Sequence, residues 1–250
     1  MYFRNEGVLI GTALFVALLF CIPGATAQDS GSLIAQGDAL YLQRSSSDDF
    51  VLQAVAKWEQ AFQADPASAD AAYRISMAYY FLGRFAPADK REALYVKGTQ
   101  WGEKAYTADP QSAGAHYWYA VNLAKSYEEK STFSKMTIVG DVQDNLAAAL
   151  KLDPTFWYGG PDRVIGMVYF KSPLARNSTA VEHLKRSLSY APNYSLTLVN
   201  LGEVLIKEKE YNAACQYLEK VLTLTPDPGF EKELEDDKRL AHELLASIPQ

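Results

Sequence analysis

Cysteine is scarce in this chain of 250 residues: Cys21 and Cys215 are the only two, too few for a disulfide scaffold. Histidine is as sparse. His116, His183 and His242 stand far apart, without the paired spacing of a metal site, so no metal ligand set is expected. No glycine-rich loop leads into the lysine that a phosphate cradle requires. The carboxylates are numerous, yet no pattern places two of them in a pocket that would separate an acid from a base. These absences point away from an enzyme and from any bound cofactor. The formal net charge is −6 and no cluster of lysines and arginines stands out, which excludes a nucleic-acid footprint and disfavours an anionic membrane surface. β-branched alternation is also nearly missing, so no strand signal competes with helix.

The amino terminus has its own character. Arg4 precedes an unbroken apolar run from Val8 to Ile22, Pro23-Gly24 ends it, and Ala25-Thr26-Ala27 offers the small residues that a signal peptidase needs. Residues 1–27 therefore read as a signal peptide cleaved before Gln28, which implies export. The apolar run is shorter than the roughly 20 residues of a spanning helix. Cys21 follows Leu18-Leu19-Phe20, and a bulky phenylalanine in front of the cysteine disfavours lipid tethering. Cleavage leaves Cys215, which sits at helical spacing with Ala214, Leu218 and Val221 and reads as a small buried hydrophobe.

From residue 28 to 250 the chain repeats itself. "WEQAFQADP", "WGEKAYTADP", "LAAALKLDP", "LKRSLSYAP" and "LEKVLTLTP" end at Pro66, Pro110, Pro154, Pro192 and Pro226, at intervals of 44, 44, 38 and 34 residues. The last equals the period of about 34 of a tetratricopeptide repeat (TPR), and longer helices or loops absorb the excess in the others. First helices are expected to begin near Ala69, Ala113, Trp157 and Ser195, with breaks at 44–49, 85–90 and 130–140. The expected fold is an all-α TPR solenoid of about five helix pairs, closed by a capping helix in "ELEDDKRLAHELLASI".

In TPR proteins certain positions of each first helix face a concave groove. Counted from Ala69, Ala113 and Trp157, these include Tyr73, Met77 and Tyr80, then Tyr117 and Val121, then Tyr158, Ile165 and Tyr169. Such an apolar lining would exceed what a soluble monomer leaves open. The protein's own tail, another subunit or an apolar, lipid-like ligand would have to cover it. The stretch "FWYGGPDRVIGMVYFKSP" reads as a joint: Gly159 and Gly160 permit a tight turn, Pro161 suits the first turn of a helix, and Gly166 allows close helix approach. Arg163 occupies a packing position and is expected to meet a carboxylate, with Asp141, Asp144 and Glu182 as candidates, or a ligand headgroup.

"LDPTFWYGGPDRVIGMVYFKSP", followed by "AVEHLKRSLSYAPNY" and "DDKRLAHELL", resembles the T component of tetratricopeptide-associated TRAP transporters (TatT), across roughly Trp101 to Ile248. The resemblance implies a periplasmic accessory protein that docks a solute-binding protein, a possible homo-trimer, and a hydrophobic pore for an apolar ligand. The alternative reading from the residues is a structural adaptor for protein–protein interactions in envelope assembly.

Overall fold

The computed structural model describes residues 29–172 and 175–249, so the signal peptide reading over 1–27, with Cys21, lies outside the described residues. Among the described residues every regular element is an α-helix. They form five antiparallel pairs: α1 (Ser30–Tyr41) with α2 (Asp48–Ala64), α3 (Ala69–Phe85) with α4 (Ala88–Ala108), α5 (Ala113–Ser126) with α6 (Thr132–Leu152), α7 (Phe156–Lys171) with α8 (Asn177–Tyr190), and α9 (Ser195–Lys207) with α10 (Tyr211–Thr223). A terminal α11 (Glu231–Ala246) packs on α9 and α10. This is the expected solenoid of five pairs and a cap.

The recurring Asp-Pro has a local cause. Asp65, Asp109 and Asp153 each end a second helix in extended backbone, where the helix cannot continue into proline. Each side chain then accepts a hydrogen bond from the amide two residues on: Ala67 (3.1 Å), Gln111 (2.9 Å) and Thr155 (2.9 Å). That Asx turn reverses the chain. In the first two repeats the following serine, Ser68 or Ser112, caps the next helix through the amide of Ala71 or Ala115. Helix starts at Ala69 and Ala113 follow directly from this D-P-x-S turn.

One expected break is displaced. The α5–α6 connection runs over 127–131, and beyond it residues 132–140 are helical and not a loop, because Ser131 caps α6 by accepting from the Ser134 amide and the helix runs on through Gly140. The connection at 42–47 keeps the expected length but lies two residues earlier, since α2 already begins at Asp48, and that at 86–87 is shorter than expected, since α4 begins at Ala88.

The core is built of large side chains set against small ones. Trp58 is fully buried, and its indole N–H donates to the Ile34 carbonyl and to Asp38, both at 3.2 Å. Its ring lies over Gly37, where an added Cβ would collide with the indole nitrogen. A polar knot joins three helices: the Asn122 amide donates to the Ser76 carbonyl, the Ser76 hydroxyl and the Trp118 carbonyl, each at 3.0 Å, and Ser76 donates to the Gly98 carbonyl at 2.7 Å. These bonds satisfy the Asn122 amide N–H groups and the Ser76 hydroxyl, which would otherwise be costly to bury, and leave the buried Asn122 Oδ1 without a partner. Trp58→Ala is expected to lower unfolding stability by about 3–5 kcal/mol, while Leu52→Ala on the exposed side of α2 changes it by less than about 0.5 kcal/mol. Urea denaturation followed by circular dichroism separates the two, and equal effects would refute this placement of the core.

Candidate functional site: the concave face

Side chains from α3, α5, α7, α9, α11 and the α1–α2 connection converge on one interior surface. Its aromatic floor is continuous. Tyr80 packs on Trp118 (centroids 5.4 Å apart), Tyr117 on Trp118 and Phe156 (4.8 and 5.5 Å), and Trp157 on Trp118 (5.0 Å).

At the start of α7 the chain makes an unusual turn. Trp157, Tyr158 and Gly159 all have positive φ, at 47°, 60° and 71°. Glycine tolerates this, but the two aromatic residues are strained by about 1–3 kcal/mol each. Their rings supply the compensation. Trp157 meets Trp118 and Phe230, and Tyr158 stacks on Tyr194 at 4.6 Å and meets Phe230 edge-on at 5.6 Å. Such pairs contribute about 0.5–1.5 kcal/mol each beyond their buried area. The regular helix then starts at Gly160 with Pro161 in its first turn, three residues later than Trp157. At Gly159 an added Cβ would come within 2.8 Å of the Ser187 carbonyl, and at Gly160 within 2.7 Å of the Tyr117 ring. Gly166 brings α7 against α8, where a Cβ would lie 3.0 Å from Leu184.

Met77, Tyr117 and Val121 are buried in the first core cluster, and Tyr73, Tyr80 and Ile165 pack against it half-buried. Tyr158 lies at the Phe230 contact described above. Tyr169 is not with them: it belongs to the second cluster and stacks on His183 at 5.6 Å. Tyr169 lies one turn beyond Ile165, at the end of α7 that meets α8.

Arg163 is buried, and among the described residues no carboxylate lies within ion-pair distance of it. It donates to the Tyr117 hydroxyl at 2.7 Å, and its guanidinium lies 4.7 Å from the centre of the Tyr194 ring. The expected partners are otherwise disposed. Asp141 accepts from the Tyr119 hydroxyl and from Asn145, while Asp144 and Glu182 are exposed. Burial pushes the Tyr117 phenol up to about 12 against the opposing pull of Arg163. Burial likewise raises Tyr194. Both shifts favour the neutral phenol, which can donate and accept hydrogen bonds.

The hollow is closed by the protein's own carboxyl-terminal segment. Phe230 inserts against Trp157 and Tyr158, and the Arg44 guanidinium lies 4.2 Å from the centre of its ring. Arg44 pairs with Glu233 at 2.8 Å; Arg84 pairs with Asp236 at 2.9 Å and Asp237 at 2.5 Å; Lys232 pairs with Asp48 at 3.0 Å. Ser45 donates to the Gly229 carbonyl at 2.9 Å and accepts from the Lys232 amide at 3.2 Å. Asp237 is buried and also accepts from the Ser195 hydroxyl at 2.6 Å. Burial raises the Glu233 carboxyl, with Arg44 opposing it. For Asp236 burial acts upward too, but Arg239 and Arg84 outweigh it and hold the carboxyl down. The cleft left beside Tyr194, Phe230 and Glu233 holds about 40 Å³, far below the roughly 300–1,000 Å³ of a small-molecule site. A depression of about 350 Å³ lies elsewhere, between α8, α9 and α10 at Leu188, Pro192 and Tyr217.

Sequence reasoning missed Arg44, Arg84, Tyr194, Phe230 and the α11 carboxylates. The signal open to it was the acidic run "FEKELEDD" directly after Pro228-Gly229, together with Arg44 and Arg84 near the ends of first helices. Among the described residues no group of three or more histidine, cysteine, aspartate or glutamate side chains is placed to hold a metal ion, and no helix is long and apolar enough to cross a membrane. His116 is engaged through both ring nitrogens, with Asn145 at 2.7 Å and the Pro110 carbonyl at 3.0 Å. Cys215 is half-buried.

Comparison with known proteins adds family and fold. The family model described as "Regulator of microtubule dynamics protein 1-3" matches residues 33–158, and a tetratricopeptide repeat model matches residues 197–228. Regulator of microtubule dynamics protein 1 of Caenorhabditis elegans is 23% identical over 171 residues, covering 62% of this chain and 76% of that protein. Among solved structures, a thermophilic TPR protein of Thermus thermophilus superposes with a TM-score of 0.65 at 17% identity, over 86% of this chain and 99% of the other. The type IV pilus biogenesis factor PilW gives 0.58 at 19% identity, over 87% of this chain and 90% of the other. At these identities the structural likeness establishes the TPR solenoid fold.

The Arg163 site yields a double-mutant cycle. Tyr117→Phe removes the short hydrogen bond to a buried cation and is expected to destabilise by about 1–3 kcal/mol. Adding Arg163→Met removes the cation as well and is expected to recover most of that loss. Strictly additive losses in urea titrations would contradict the pairing.

Proposed function

Because the chain belongs to the regulator of microtubule dynamics protein 1-3 family, a family seen here on a TPR solenoid, we propose that it is a non-enzymatic adaptor that works by binding other proteins. The observation that carries this reading is the filled concave face. Phe230 and the α11 carboxylates occupy the hollow that a small apolar ligand would need. What remains is a scaffold whose chemistry is recognition.

The name of the worm relative attaches that protein to microtubules. For this chain we adopt the mode of action, regulation of an assembly made by other proteins, and assign the assembly to the bacterial envelope on two grounds: residues 1–27 read as an export signal, and the Leu152–Pro173 segment resembles a periplasmic family. A second reading, an accessory component of a TRAP-type system that docks a solute-binding protein, carries a lipid-like ligand and forms a trimer, is supported by the Leu152–Pro173 resemblance. It stands second because its ligand would have to displace α11.

Native mass spectrometry of the full chain, expressed with its own leader in a bacterial host and purified without detergent, distinguishes the two. The adaptor reading expects bare polypeptide mass. A stoichiometric adduct that extracts as lipid, above all on a trimer, would reverse the order.

A further inference from the structure

One face of α11 changes chemistry along its length. Its second half presents Leu240, Ala241, Leu244 and Leu245, packed on Leu198, Val199, Leu218 and Val221 of α9 and α10. Its first half presents carboxylates to the first two repeats: Glu233, Asp236 and Asp237 stand at i, i+3 and i+4, in one stripe with Leu240 and Leu244, and Phe230 precedes them by one turn. Arg44 and Arg84 receive this stripe from elements 150 or more residues away in the chain.

The receptor is ordered by residues other than α11. Arg44 lies 4.6 Å from the Tyr41 ring centre and 5.7 Å from that of Phe81, and its Nη1 donates to the Tyr41 carbonyl at 3.3 Å. An arginine held in this way is a preformed site for a carboxylate. Its present occupant fits it incompletely. Arg44 and Glu233 meet through one N–H···O contact, while the buried Nη2 of Arg44 and Oε2 of Glu233 have no partner. A well-aligned carboxylate would engage both guanidinium nitrogens.

We propose that α11 is an intramolecular stand-in, and that the site formed by Arg44, Arg84 and the aromatic floor accepts an acidic helical segment of a partner protein. The segment it fits carries an aromatic residue, then an acid three positions on, then two adjacent acids three and four positions further. This inference rests on the adaptor reading and specifies its partner. In the free protein the carboxylate stripe of α11 holds the hollow closed. A partner helix that satisfies both arginines displaces the stripe and uncovers Tyr80, Trp118 and Trp157. Binding of this kind is salt-sensitive and sequence-specific at once, because guanidinium pairs set the register and the aromatic seat anchors it.

The probe is a fluorescein-labelled, end-capped peptide of residues 226–246, titrated by anisotropy into the full chain and into its Glu233→Gln/Asp236→Asn/Asp237→Asn variant. The variant is expected to bind at least ten-fold more tightly than the parent, to lose the peptide when Arg44→Gln and Arg84→Gln are added, and to ignore a peptide whose same three acids are amidated. Hydrogen exchange on the unaltered protein gives an answer independent of how the variant folds: saturating peptide is expected to accelerate exchange across 231–246. A helical variant that binds no better than the parent overturns the proposal. So does unchanged exchange in the parent, or a variant that binds phosphatidate vesicles but not the peptide. With bare mass in native spectrometry, such a failure leaves the adaptor reading standing and moves its docking surface elsewhere; a lipid adduct would remove both.

Discussion

Arg84 reaches from the end of α3 to Asp236 and Asp237 on α11, and Arg44 reaches from the α1–α2 connection to Glu233. A solenoid has no intrinsic reason to touch itself end to end, since each repeat needs only its neighbours to bury its apolar face. These ion pairs, with Lys232 on Asp48, join the first two repeats to the last helix. The consequences are concrete. Phe230 is held against Trp157 and Tyr158, the aromatic floor is covered, and the hollow that would otherwise be an exposed apolar patch becomes interior. Ion pairs suit a contact of this kind, because their energy depends on the exact partner and on salt, whereas apolar packing is nearly indifferent to both.

The closure also explains how the chain sustains a strained turn. Trp157 and Tyr158 hold left-handed backbone that aromatic residues rarely adopt, and their rings are fixed from one side by Trp118 and Tyr194 and from the other by Phe230. The strain and the closure support each other: the turn aims both rings into the hollow, and the carboxyl-terminal segment gives them a surface to meet. Arg163, one turn further along α7, meets Tyr117 and Tyr194 at the same wall.

How far the sequence could be read depends on the range of each interaction. The five pairs and the cap were legible because Asp-Pro turns and serine caps act within four residues, as at Asp65–Ser68 and Asp109–Ser112. At the start of α7 the turn at Gly159 and the place of Pro161 were legible, but the left-handed backbone of Trp157 and Tyr158 was not, since it is imposed by tertiary packing and opposes their local preference. Residues 130–140 read as a break because Gly140 and the polar Lys130-Ser131-Thr132 suggest one, yet a single serine cap suffices to start α6 there. The partner of Arg163 was sought among nearby carboxylates and is instead a tyrosine from another repeat. The end-to-end pairs were invisible for the plainest reason: partners separated by 150 residues leave no periodic trace.

The central claim is that the carboxyl-terminal helix closes the concave face within one molecule. Zero-length carbodiimide cross-linking of the dilute full chain tests it most directly, because Lys232 and Asp48 lie 3.0 Å apart although 184 positions separate them. The account predicts a Lys232–Asp48 cross-linked peptide in the monomer band, lost at high salt. Absence of that peptide at low salt, with other lysine–carboxylate links formed normally, would contradict it.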